Sequence, residues 1–388
     1  MSKTRGYAAA ALALAVALTG SVLTGCTSPS PPSSSPQPSP PATAPLPTPS
    51  ATMDPKQALH PVGTPTLLAT GLAAPWSVVR LVSGSTLISE RDSGAIQELE
   101  QNGTMRKVGD VSGVVHRGEG GLLGIEVLTQ GNASWLYAYL TTASDNRIVR
   151  MPLSGTPGSY SLGIQENILV GLAKSNFHNG GRIKFGPDGM LYATVGDATH
   201  TSYAQNPKSL NGKILRMTPT GAVPTDNPTP GSVVYSMGHR NPQGLAWDAS
   251  GQLWASEFGQ NTWDELNRIV PGGNYGWPLA EGIAKKTGFI DPVYQWKTAE
   301  ASPSGLAFVN GTFFMATLRG ARLWAIHPGP GDNAAPSSPM AYFVNSYGRI
   351  RDAVPGPDGT LWILTNNTDG RGNPQDGDDR LLQVHLGS

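Results

Sequence analysis

The sequence predicts an all-β chain, a six-bladed β-propeller with four-stranded antiparallel blades, preceded by a signal peptide and a disordered Pro/Ser-rich linker. Three observations lead there. Glycine counts 48 of 388 residues while charged residues make up only 14%, a balance that suits many short strands joined by tight turns. No helical run with apolar residues at three- and four-residue spacing stands out after the N-terminal segment. An apolar strand, a tight turn and a second apolar strand recur along the chain every 45–60 residues or so, roughly the length of a four-stranded blade.

Taken in order, residues 1–25 read as an export signal. Lys3 and Arg5 form a basic start, Tyr7 to Val22 is apolar and rich in Ala and Leu, and the run is short for a membrane span. Leu23-Thr24-Gly25-Cys26 resembles the bacterial lipobox, which implies diacylation of Cys26 and cleavage before it. Cys26 is the single cysteine, so no disulfide accounts for it. The alternative is an ordinary signal peptide with an incidental cysteine. Residues 26–60 are then a linker, with Thr27 to about Pro55 almost wholly Ser, Pro, Thr and Ala. Such a segment cannot bury apolar surface, and at ~3 Å per residue its prolines extend it several tens of ångströms. The expected location is the outer face of a cell membrane, lipid-anchored through Cys26.

Residues 61–388 supply the folded domain, enough for a full core. The clearest repeats are Ile183 to Val195, Gly244 to Ser256 and Val354 to Leu364, each hinged on Asp-Gly or Ser-Gly, which supplies the positive φ of a tight hairpin. Weaker copies begin near Pro75-Trp76, Gly121-Leu122-Leu123 and Pro303-Ser304-Gly305, making six. The last copy is one strand short, ending at Leu381 to Leu386, and Pro65 to Thr70 is placed to supply the missing outer strand and close the ring. Two separate sandwiches are the alternative architecture.

Several function classes drop out. Net charge is +0, which gives no reason to expect nucleic acid as a partner. Gly118 to Gly124 has no strand-turn-helix context, so it is not read as a dinucleotide loop. There is no His-Glu-x-x-His for zinc and no Gly-x-Ser-x-Gly for a serine hydrolase. Asp369 to Arg380 lacks the regular calcium-loop spacing and is expected to be a surface loop of the last blade.

An ordered set of motifs then becomes specific: Gly118-Glu119-Gly120-Gly121-Leu122-Leu123-Gly124; His178-Asn179-Gly180-Gly181-Arg182-Ile183 with Val195-Gly196-Asp197; Gly238-His239-Arg240-Asn241-Pro242-Gln243-Gly244; Asp264-Glu265-Leu266-Asn267 leading to Gly273-Asn274-Tyr275-Gly276-Trp277-Pro278; and Gly348-Arg349-Ile350-Arg351-Asp352. Together they cover nearly everything after residue 65, and they resemble the glucose/sorbosone dehydrogenase family. The resemblance implies a six-bladed propeller that oxidises aldoses or related polyols at the anomeric carbon with pyrroloquinoline quinone (PQQ) and Ca2+. By motif, His178 is the implied general base, Asp197 its orienting carboxylate, and Arg240 the cation over the quinone carbonyl, with Asn241 and Gln243 beside it. PQQ is a tricarboxylate, so cations must hold it. Arg349 and Arg351, two apart on a strand start, face the same way, and Arg319 falls where the family commonly has lysine. The carbonyls of Gly259 and Gln260 are the implied calcium ligands, although the family often has proline at the second position. Glu119 is expected in the pocket as a sugar or metal contact. Phe177 stands where soluble glucose dehydrogenases carry an acid that helps hold the sugar. Tyr294 and Trp296 are candidates for stacking on a sugar or for core packing. The competing readings are a non-enzymatic propeller lipoprotein serving as a binding or envelope-interaction module, and a metal-dependent propeller lactonase. The latter needs converging acids, and these motifs offer few.

Overall fold

Alternating apolar residues and positive-φ turns build the repeats. Gly189 and Gly251 sit at φ +74° and +82° in the first hairpins of two blades, a conformation that suits glycine. The structure is a computed structural model that describes residues 58–328 and 338–388. The expected signal peptide, Cys26 and nearly all of the linker lie outside the described residues.

Six antiparallel sheets form, and their inner strands are Pro75–Arg80, Leu122–Gln130, Ile183–Phe185, Asn241–Trp247, Pro303–Val309 and Ile350–Pro355. These are the six repeats anticipated from the sequence. The second blade departs slightly from four strands, because a two-residue strand, Ser161–Leu162, pairs with its third strand. The sixth blade holds Ile350–Pro355, Leu361–Thr365 and Leu381–Gly387, and its outer strand is His60–Ala69. His60 pairs with Gly387 and Ala69 with Leu381, so the two ends of the domain close the ring in one sheet. That removes a free edge which main-chain groups would otherwise present to solvent.

Successive blades pack face to face through apolar side chains. Between blades four and five, Trp254 meets Phe313 at 5.0 Å between ring centroids, within a cluster that includes Leu266, Leu306 and Met315. Trp296 is 5% exposed in this cluster and Tyr294 stacks on it at 5.7 Å. Both belong to the outermost strand of blade four, Tyr294–Lys297, so core packing is their role.

The inner strands carry polar groups to the axis. Arg182 of blade three pairs with Asp352 of blade six at 2.9 Å, donates to Ser77 of blade one at 3.2 Å and to the Gln243 carbonyl of blade four at 2.9 Å. Its guanidinium lies 4.2 Å from the Trp76 ring centroid. Burial lowers the Arg182 pKa, opposed by the Asp352 charge. This group ties four blades together.

In a four-stranded antiparallel blade, the turn between the second and third strands and the link to the next blade emerge on one face. Glu119, His178, Arg240 and Arg349 lie on inter-blade links or at their ends. Asp197, Gln260, Arg319 and Asp369 lie on second-to-third-strand turns. One face therefore collects the candidate site.

Candidate active site

His178 has φ +59°, a left-handed conformation uncommon outside glycine, and it is held there from several sides. Its N–H donates to Glu119 Oε2 at 2.9 Å, and its carbonyl accepts from Ala198 N at 3.1 Å. Its Nδ1 meets Asp197 Oδ1 at 2.8 Å. The glycines around it are steric necessities: a Cβ on Gly196 would stand 2.1 Å from the His178 carbonyl oxygen, and one on Gly180 2.5 Å from that of Thr194.

The Asp197 side chain is fully buried. It also accepts from Thr199 N at 2.8 Å and from Trp277 Nε1 at 2.8 Å. Burial pushes its carboxyl up, but the His178 bond and charge and the two further donors outweigh that and leave it below the usual carboxylate range. With Nδ1 committed, Nε2 is the ring nitrogen left to take a proton.

Arg240 is knitted to this pair, its carbonyl accepting from Asp197 N at 2.8 Å. Its N–H donates to Glu257 Oε1 at 2.5 Å and its Nε to Gln260 Oε1 at 3.0 Å, and its guanidinium lies 5.5 Å from the Trp277 ring. Burial lowers its pKa, against the charges of Asp197, Glu119, Glu257 and Glu281. Below it, His239 is fully buried between Ser236 Oγ and Glu257 Oε2, each at 2.8 Å. This Ser-His-Glu set has the partners of a hydrolytic triad, yet all three residues are buried and none is offered to a substrate.

Beside these residues lies a cavity of about 240 Å³ lined by Trp76, Gln243, Phe258 and a ring of charge: Arg91, Arg319, Arg349, Arg351 and Arg371 with Glu119 and Asp369. Arg349 and Arg351 do face the same way. Arg351 is 5% exposed, and burial pushes its guanidinium down to about 9 despite the Asp369 charge. Its Nη1 donates to Gln243 Oε1 at 2.9 Å and its Nη2 to Asn366 Oδ1 at 3.0 Å. Arg349 bonds Asp369 at 3.0 Å, while its Nε is buried without a partner among the described residues. Arg319 is exposed and makes no hydrogen bond or ion pair among them. A cavity lined by five arginines, one of them (Arg319) exposed and making no bond among the described residues, fits a polycarboxylate such as PQQ.

Other expected residues sit differently. Asn241 is 1% exposed, and its Oδ1 accepts from Gly180 N at 2.9 Å, which braces the His178 loop. The Gln243 amide carbonyl serves Arg351 and Ser304. Glu119 lines the cavity, but its Oε1 takes Arg371 Nη1 at 2.7 Å while Oε2 holds His178 N, so both oxygens are committed within the chain. Phe177 is 47% exposed and carries the Arg371 guanidinium 5.4 Å from its ring centroid. The Asp369 to Arg380 segment joins strands of blade six as expected, but it is not a plain surface loop. Asp369 is 7% exposed and Asp379 fully buried, and Arg349 and Arg351 draw the Asp369 side chain into the cavity wall. At the implied calcium position, neither the Gly259 nor the Gln260 carbonyl accepts a hydrogen bond from a described residue. Their N–H groups donate to Asp264 and Glu281, which sets the turn. Free main-chain oxygens backed by two carboxylates fit a hard cation. Among the described residues, no cluster of three His, Cys, Asp or Glu side chains forms a metal site, so main-chain oxygens are the donors on offer.

Trp277, Glu281, Asp369 and Arg371 take part in the site without any local pattern that points to it. Trp277 lies within the Gly273 to Pro278 motif, but its partner is 80 residues away and that of Arg371 is 252 away, so neither contact leaves a trace in the local sequence.

Comparison with known proteins agrees with this architecture. A family model described as Glucose / Sorbosone dehydrogenase matches residues 72–376. The chain belongs to this family. Among solved structures similar to this glucose/sorbosone dehydrogenase family member is the PQQ-bound form of aldose sugar dehydrogenase from Streptomyces coelicolor. It is 49% identical, with a TM-score of 0.80 and coverage of 85% of this chain and 98% of that one. An aldose sugar dehydrogenase of Escherichia coli (strain K12) is 28% identical over 345 residues, 78% of this chain and 90% of that protein. Quinoprotein glucose dehydrogenase B of Acinetobacter calcoaceticus is 42% identical over 145 residues, spanning 32% of this chain and 30% of that protein.

Proposed function

We propose that this family member oxidises an aldose or related polyol at the cell envelope, using PQQ and Ca2+, with His178 as general base. The observation that carries the reading is the His178–Asp197 pair beside a cavity lined by five arginines. The PQQ-bound relative at 49% identity supports the choice of cofactor. Arg319, Arg349 and Arg351 would hold the PQQ carboxylates, and the carbonyls of Gly259 and Gln260 would hold Ca2+.

Oxidation of an aldose at C1 takes a proton from the hydroxyl and a hydride from carbon; PQQ with Ca2+, when bound, supplies a polarised two-electron acceptor. The rest falls to the chain. Asp197 fixes the imidazole and stabilises its charged form as Nε2 takes the hydroxyl proton. Arg240 adds a fixed positive charge, anchored through Glu257 and Gln260, where negative charge develops. Glu119 holds the base's backbone so that the ring need not reorganise during the transfer. The envelope location rests on the lipobox-like Leu23 to Cys26.

Reconstitution of the purified chain with PQQ and Ca2+, followed by sugar-dependent dye reduction over a broad aldose and polyol panel, tests the proposal. Turnover that needs both additions supports it. Calcium-dependent PQQ binding at micromolar affinity with no turnover would leave a binding module, and absence of PQQ binding sinks the cofactor reading altogether.

A further inference from the structure

Trp277 reaches the site by an unusual route. The long connection between the third and fourth strands of blade four starts on the far face, yet Asn274 bridges in parallel to Met237 at the end of blade three's outer strand. That register carries the Gly273 to Pro278 motif up to the mouth. The Trp277 N–H then donates to the Gly238 carbonyl at 2.9 Å. From the other side, Gln205 Nε2 donates to the Trp277 carbonyl at 2.7 Å, while the Gln205 and Asn274 amides exchange bonds of 3.0 and 2.8 Å. The backbone of Trp277 is therefore held at both ends.

Its side chain touches both charged groups of the proposed chemistry. The indole Nε1 donates to Asp197 Oδ2, the oxygen that His178 does not use, at 2.8 Å. The ring lies 5.5 Å from the Arg240 guanidinium carbon. We infer that Trp277 is a positioning residue that sets the basicity of His178 through Asp197 and at the same time seats Arg240. The inference rests on the proposed role of His178 as base.

A carboxylate divides its charge among the donors it accepts from. Asp197 has three donors: His178, Thr199 N and Trp277. Removing the indole donor leaves more of the carboxylate's charge for the imidazole, so the protonated ring is better stabilised and the His178 pKa rises. The other charged groups near His178 are Glu119, which binds its N–H and is neutralised by Arg371, and Arg240, whose carbonyl holds the Asp197 backbone. Replacing the indole by a phenyl ring changes none of them.

Trp277→Phe retains an aromatic face for Arg240, though a smaller one, and removes the N–H. In the cofactor-free chain, the His178 imidazole followed by NMR should titrate about half a pH unit higher than in the wild type. The acid limb of the kcat/KM profile should shift by the same amount, with PQQ affinity unchanged within about twofold. Trp277→Leu, which also loses the ring, should shift the titration equally and weaken PQQ binding besides. If either variant fails to fold, the wild-type chain still answers. Its Trp277 indole N–H resonance should titrate with the His178 midpoint, and that response should vanish in His178→Gln. An unmoved His178 midpoint in Trp277→Phe, or an indole resonance blind to His178, overturns the inference. Both NMR readings need neither cofactor nor turnover, so an inactive chain would count against the proposed function alone.

Discussion

His178 occupies a backbone conformation that most residues avoid, and its neighbours maintain it: Glu119 on its N–H, Ala198 N on its carbonyl and Asp197 on its ring. Strain of this kind, of order 1–3 kcal/mol, persists where the surroundings over-determine it. Two outcomes follow at this scale. His178→Gln should lower kcat by about 10²–10⁴-fold while PQQ affinity measured by titration stays within about twofold. Glu119→Ala should loosen the His178 loop and free Arg371, lowering kcat/KM by about tenfold or more with no comparable loss in thermal stability. Equal losses in both quantities would show that Glu119 serves the fold rather than the base. The motif positions of His178, Asp197, Arg349 and Arg351 were legible because each falls in a short contiguous motif that resembles the family. The commitments of Asn241 and Glu119 were not, since each side chain answers a group on another blade or loop.

At the scale of the element, the ring is closed by the strand His60–Ala69, whose residues are mostly half-exposed or exposed. Main-chain pairing, more than side-chain burial, holds it to Leu381–Gly387. A chain beginning at Gly71 should therefore expose the edge of the last blade, and either a clear fall in Tm or association on gel filtration is expected. Unchanged Tm and a monomeric elution would contradict that account of closure. Blade four carries a second device. Glu265 is 8% exposed, and burial first, then the Glu257 charge, pushes its carboxyl up to about 8 from an ordinary 4.5. Between those values the folded chain holds a proton that the unfolded chain has released, so stability falls as pH rises through this window. Glu265→Gln keeps the shape without the charge. It should flatten the decline, with a stability advantage over wild type that grows to the order of 1–3 kcal/mol by pH 8. Denaturant melts at pH 5 and pH 8 measure it.

At the scale of the molecule, the axis is held by the buried Arg182–Asp352 pair and the partners it gathers from blades one and four. A buried pair contributes little net stability over apolar side chains of similar size, but breaking it leaves a charge unpaired. Asp352→Ala should cost about 3–5 kcal/mol, whereas Arg182→Met combined with Asp352→Leu should cost less than that single change. Denaturant unfolding of the three chains decides the point; a double variant less stable than Asp352→Ala would argue that the pair stabilises the fold outright. Because the same residues stand next to Trp76, Gln243 and Arg351, the axis that joins the blades also borders the cavity.

Residue patterns alone fixed the propeller, its six repeats and the strand that closes the ring, while the proposed base, its carboxylate and the arginine clamp came from motifs that resemble the family. Periodicity, turn chemistry and motifs are all local in the chain. Tertiary structure alone decided how those residues are tuned. Trp277 on Asp197 and Arg371 on Glu119 are contacts between loops of different blades, and Asp369 meets Arg349 and Arg351 across blade six. Hydrogen bonds and ion pairs act over a few ångströms of space, whatever the sequence separation, so the electrostatics of the site exist only once the ring has closed.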